Sequence, residues 1–191
     1  MIADIPDLAE LIRSAQVQGL SGDDSLPAEA RQIIGAADKE RRQLSQEELL
    51  SLCAASGQDA SLPRRLQNNA DDLVNQARWH LLVQQPQLVQ PGGALYPSER
   101  ADACWRDCWN FLRVIVYAVA CQRSNFTNPT GMAALRDLYR LMRVPMEGLN
   151  IALSQLKVLA AHRFERETDQ VLVNACFQHL LEHLNKTAVK S

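Results

Sequence analysis

Cys104 and Cys108 stand four residues apart, with Asp107 three beyond the first cysteine and Arg100 four before it. At helical spacing these four side chains project along adjacent rows of one helix, so a thiol pair, a carboxylate and a guanidinium converge. A thiolate is a nucleophile and a metal ligand, and a guanidinium pairs with a carboxylate in a planar fork. The set has three readings: a covalently held cofactor, a bound metal, or a core helix with small thiols inside and charges at its rim. Arg106, two residues from Cys104, sits about 200° round the same helix. Spacing alone does not bring it to the thiols.

The helix that carries these groups is expected from about Ser98 to Ala120, within the stretch YPSERADACWRDCWNFLRVIVY from Tyr96 to Tyr117. Pro91-Gly92-Gly93 before it reads as a turn. Upstream, residues 62 to 84 read as one long helix on the recurrence of Leu66, Leu73, Val74, Ala77, Leu81 and Leu82, stopped by Pro86. Residues 28 to 42 form a shorter candidate, and Ser45 with Glu48 makes a capping box for the next. Downstream, a break over residues 125 to 129 precedes helices at about 130 to 142, 148 to 161 and 167 to 185. No strand-like alternation or repeat is present. The chain reads as all-α, with seven to nine helices.

Residues 1 to 25 read as an N-terminal extension to a domain spanning 26 to 191. IPDLAELIRSAQVQGL gives a short amphipathic helix with Pro6 near its start, followed by the polar linker SGDDS. Leu8, Leu11, Ile12 and Val17 form its apolar side, which could fold back on the body or dock onto a partner. Folding back is the commoner outcome.

With 191 residues and a net charge of −2, the chain is long enough for a real core and carries no polyanion-binding signature, so no nucleic-acid partner is expected. No apolar run reaches the ~20 residues of a membrane-spanning helix, and the N-terminus lacks a signal-peptide pattern. The chain is expected to stay in the compartment where it is made, with its five cysteines as reduced thiols. Cys176, His179 and His183 share one face of the last helix, but a structural zinc site usually needs a fourth ligand and only the distant His162 offers itself, so no metal is expected. No nucleophile and base arrangement, phosphate loop or paired acids suggest an enzyme.

PGGALYPSERADACWRDCWNFLR resembles the signature of the phycobiliproteins, most closely allophycocyanin α-type subunits. In that signature a Pro-Gly-Gly loop and a Tyr lead into a helix carrying Cys-x-Arg-Asp and Leu-Arg. Here these are Pro91, Gly92, Gly93, Tyr96, Cys104, Arg106, Asp107, Leu112 and Arg113. The likeness continues through Tyr117, Ala120, Leu135, Tyr139 and the PMEG at Pro145 to Gly148, and backward to Ala37-Asp38 and Leu44-Ser45, covering roughly residues 30 to 185.

The resemblance implies a globin-like phycobiliprotein helical bundle preceded by short N-terminal helices that pair subunits. It implies a linear tetrapyrrole (phycocyanobilin) held by a thioether to Cys104, with Asp107 accepting from pyrrole nitrogens and Arg106 neutralising a propionate. Arg100, Cys108, Phe111 and Met142 complete the candidate cofactor-binding set. The implied partner is a phycobiliprotein-like subunit or an antenna or photosystem protein, in a homo- or hetero-oligomer, in the cytoplasm peripheral to the thylakoid membrane. The implied function is light absorption and excitation-energy transfer. The alternative is a non-antenna member of the fold that binds antenna or photosystem components with or without bilin, and a third class is a bilin carrier. Departures from the family pattern are Ala94 for the loop Asn, Trp109-Asn110-Phe111 for Asp-Tyr-Tyr, and Cys121-Gln122 for Gly-Asp. They mark a divergent paralogue.

Overall fold

The structure, a computed structural model, describes residues 7–187. Among these residues there are nine α-helices and no named strand: α1 (Leu8–Ser14), α2 (Ala28–Lys39), α3 (Gln46–Ser56), α4 (Ser61–Asn68), α5 (Ala70–Gln84), α6 (Ser98–Ala120), α7 (Pro129–Leu141), α8 (Met146–Ala161) and α9 (Glu167–Leu184). Their ends follow from local chemistry. Ser45 and Glu48 exchange the two capping-box hydrogen bonds at the start of α3, at 3.2 and 2.8 Å, and α3 stops at Gly57 in the left-handed region. Asn128 caps α7 by accepting from the Gly131 amide at 2.9 Å, with Pro129 at the first helical position.

The helix expected over 62 to 84 is two helices. Apolar spacing runs on through the break, but at Asn69 the backbone leaves helical geometry for a single residue, φ −101° and ψ 8°, and its side chain turns back to the Arg65 carbonyl at 2.7 Å. An Asn competing for helical carbonyls in this way favours a helix end over an interior.

α6 is the axis of the bundle. Every residue from Phe111 to Ala120 is buried, as expected of a helix apolar on all sides, and α3, α4, α5, α8 and α9 all pack on it. The one charge in that run, Arg113, pairs with Asp38 at the end of α2 at 2.9 Å and donates to the Tyr117 hydroxyl at 2.7 Å. Tyr117 in turn donates to the Arg42 carbonyl. A buried guanidinium is tolerated because each direction it faces offers an acceptor. The arrangement pins α2 onto the chain's own α6.

The N-terminal extension folds back. α1 packs on α7 with Leu11 buried, and residues 17 to 19 run antiparallel to residues 126 to 128. The Asn128 amide donates to the Val17 carbonyl at 2.8 Å, the Gly19 amide to the Phe126 carbonyl at 2.6 Å, and Gln18 bridges Thr127. Leu20 is fully buried in the main core. Pro6, expected near the start of α1, lies outside the described residues.

Candidate functional site

The organising face of α6 is Cys104, Asp107, Cys108 and Phe111. Asp107 is half-buried and accepts from the Tyr139 hydroxyl of α7 at 2.7 Å. Beyond this pair opens a cavity of about 610 Å³, within the usual range for small-molecule sites. Phe111 and Val114 of α6 and Leu135, Leu138 and Tyr139 of α7 make its apolar walls. The end of α2 adds Asp38, Lys39 and Arg41, and the N-terminal extension adds Ile12, Arg13 and Val17.

Electrostatics differ along this face. Burial holds the Asp107 carboxyl above the ordinary carboxylate range, against the opposing pull of the Tyr139 hydroxyl and the Arg106 and Arg41 charges. Tyr139 is pushed well above its ordinary value, first by burial and then by Asp107. The thiols are unequal: the hydrogen bond from Cys108 favours the Cys104 thiolate and lowers it, while the same contact and burial drive Cys108 up. Burial raises the remaining thiols to about 11 at Cys53 and about 12 at Cys121 and Cys176. Cys104 is therefore the thiol of this chain most readily made nucleophilic.

Two of the predicted residues, Asp107 and Phe111, line the cavity, and Cys104 lies one helical turn from Asp107. Cys104 and Cys108 are themselves outside the lining, though Tyr139, which lines it, feels the charge of both sulfurs. Arg106 is exposed and acts on Asp107 only through its field. Arg100 is turned to the other end of α7, where its guanidinium donates to the carbonyls of Met142 and Arg143 at 2.9 and 2.5 Å. It closes a helix C-terminus, where orphan carbonyls and the dipole favour a cation. Met142 is exposed and contributes a carbonyl to that contact rather than a side chain to the cavity. The histidines of α9 converge on a hydroxyl: His179 and His183 lie 2.7 and 3.0 Å from Thr127 Oγ1, with ring centroids 4.0 Å apart.

The phycobilisome protein family model matches residues 32–184, which is most of the chain and all of α3 to α9. The chain belongs to the phycobilisome protein family. The C-phycocyanin beta chain of Aglaothamnion neglectum is 30% identical over 128 residues, covering 65% of this chain and 74% of that one. The C-phycocyanin-3 beta subunit of Microchaete diplosiphon is 29% identical over the same coverage. A Nostoc sp. protein provisionally named allophycocyanin subunit alpha 2 is 28% identical over 148 residues, 76% of this chain and 91% of that one. The all-α, globin-like architecture is that of phycobiliproteins, and α1 and the strap of residues 15 to 19 after it precede the matched region.

Spacing on α6 did not point to Tyr139, Lys39, Arg41 or Arg13. Tyr139 was signalled by the family resemblance and by its position four residues after Leu135; the cations carried no signal, because they reach the cavity from separate segments at the N-terminus and the end of α2.

The donor set fits a linear tetrapyrrole. The cavity combines apolar walls from α6 and α7 with the carboxyl of Asp107 and the cations Arg13, Lys39 and Arg41, and the Cys104 thiol lies one turn from Asp107.

Proposed function

We propose that this chain is a bilin-carrying phycobiliprotein that absorbs light and passes excitation to a neighbouring chromophore, at the cytoplasmic surface of the thylakoid membrane. The observation that carries the reading is the alignment on one face of α6 of the Cys104 thiol with the half-buried carboxyl of Asp107, which lines a cavity walled by Phe111 and the α7 leucines. A bound bilin would supply visible absorption. Cys104 would hold it by adding S–H across an exocyclic double bond of a terminal ring, the sulfur bonding one carbon and the proton ending on its neighbour, with no oxidant needed. Asp107 would accept from pyrrole N–H groups through the lone pairs left free beside its hydrogen bond from Tyr139. Phe111 and the α7 leucines exclude water and restrain torsion. Phycocyanobilin is the pigment proposed.

Expression with phycocyanobilin synthesis and a suitable lyase, beside Cys104→Ala, tests this. Zinc-induced fluorescence that survives denaturation in the parent and disappears in the variant supports the reading. A colourless parent, under conditions that colour a known phycobiliprotein, overturns it.

The second reading is a non-antenna member of the family that binds antenna or photosystem proteins. It is favoured by the way α2, one of the short helices that the resemblance assigns to subunit pairing, is held against this chain's own α6 by Arg113 and Asp38. Sedimentation of the pigmented protein with and without phycocyanin or allophycocyanin subunits separates the two: ring-sized assemblies support the antenna reading, and a persistent monomer or a one-to-one complex supports the second.

A further inference from the structure

The N-terminal extension lies beyond the region matched by the family model, yet it builds one wall of the cavity. Two glycines let it approach. A Cβ at Gly131 in α7 would fall 2.1 Å from the Gln16 carbonyl oxygen, and one at Gly19 would fall 2.9 Å from the Thr127 oxygen. Both lie under the 3.0 Å that a Cβ keeps from its neighbours, so strap and α7 meet only where side chains are missing. Gln18, buried in the crossing, is satisfied by both polar groups of Ser21, its Nε2 donating to Oγ at 3.0 Å and its Oε1 accepting from the amide at 3.2 Å. The contact is a seated one, and it carries Ile12 and Arg13 to the cavity mouth.

Cations outnumber acids at that mouth. Asp38 is committed to Arg113, and Asp107 accepts from the Tyr139 hydroxyl. Arg13, Lys39 and Arg41 face the same cavity, and none of them is engaged with a carboxylate in an ion pair among the described residues. Three cations around a cleft with apolar walls on α6 and α7 suit a ligand with two carboxylates better than a neutral one.

We propose that residues 8 to 19 are a built-in lid over the pigment cavity and that Arg13, from this lid, binds a propionate carboxylate of the tetrapyrrole together with Lys39 and Arg41. The assignment rests on the pigment reading above and extends the site to a segment outside the family match. The lid supplies in one chain a wall that needs no second subunit.

The test uses the full chain carrying Cys104→Ala, so that binding is reversible, titrated with phycocyanobilin free acid and with its dimethyl ester by tryptophan fluorescence quenching. Arg13→Glu and Arg13→Lys are compared with the parent, after circular dichroism melts have shown all three equally folded. The parent is expected to prefer the acid. Arg13→Glu should weaken the acid about tenfold, or ~1.4 kcal/mol, and leave the ester unchanged, while Arg13→Lys retains most of the affinity. Unchanged acid affinity in Arg13→Glu overturns the assignment while leaving the pigment reading intact, and so does an equal loss for acid and ester. Failure of the parent to bind either form overturns both.

Discussion

Gly131→Ala separates helix propensity from the lid contact, because the two act in opposite directions. Gly131 has helical geometry in the first turn of α7, so alanine there should stabilise the helix by up to about 1 kcal/mol. The new methyl, however, would sit 2.1 Å from the Gln16 carbonyl oxygen, and backbone on both sides leaves no flexible side chain to give way. The strap must lift. Lifting breaks the hydrogen bonds from Asn128 to Val17 and from Gly19 to Phe126, at about 1 kcal/mol each. It also draws Leu20 from the core, a further ~2 kcal/mol. The balance is a net loss of roughly 3 kcal/mol after the helical gain, or about 6–12 °C in Tm for a domain of this size. Thermal unfolding followed by circular dichroism gives the magnitude, and amide exchange at Gly19 gives the location, since that proton should exchange much faster in the variant. An unchanged or higher Tm with Gly19 still protected would refute the reasoning, because alanine would then fit where the strap is placed.

Other expectations concern the face of α6. Asp107→Asn should make the pigment-free protein more stable at neutral pH, since a carboxyl whose folded pKa is raised stabilises only while protonated, and its contribution is lost as pH rises through that value. The difference between parent and variant, measured by urea unfolding across pH, should vanish below about pH 4; a variant less stable than the parent at pH 7 contradicts the burial argument. Iodoacetamide at mildly alkaline pH should label Cys104 first, because the other four thiols are all raised. Peptide mapping by mass spectrometry checks the order, and earlier labelling of Cys53 or Cys121 would count against the thiol pair. Arg113→Ala should cost about 3–5 kcal/mol in chemical denaturation, because it leaves Asp38 largely buried without its cation. A loss below ~1 kcal/mol, the range of surface pairs, would show that α2 is not held as described.

Local chemistry was legible where it acts over a few residues. The Ser45 capping box, the turn at Pro91 to Gly93 and the central helix all appear where residue types demand them. The break at Asn69 was hidden because Leu66 and Leu73, seven apart, keep helical register across it. Site residues divide in the same manner. Asp107 and Phe111 reach the cavity because one helix fixes their direction, whereas Arg100 shares the rows of Cys104 and still turns its long side chain to the carbonyls of Met142 and Arg143. Tyr139 lies 32 residues from Asp107, and Gln16 crosses Gly131 from the far end of the chain. Periodicity contains no information about such meetings, which depend on how amphipathic helices stack. The family resemblance supplied the roles, and geometry redistributed some of them.

The bond between Arg113 and Asp38 also has a kinetic meaning. Because α2 is latched to α6 by a buried guanidinium and a partly buried carboxylate, a second chain that used the same surface would have to wait for the latch to open. Its association would then plateau with concentration at the opening rate instead of rising without limit, and would accelerate at high salt less than a surface contact would, because a buried pair is poorly screened.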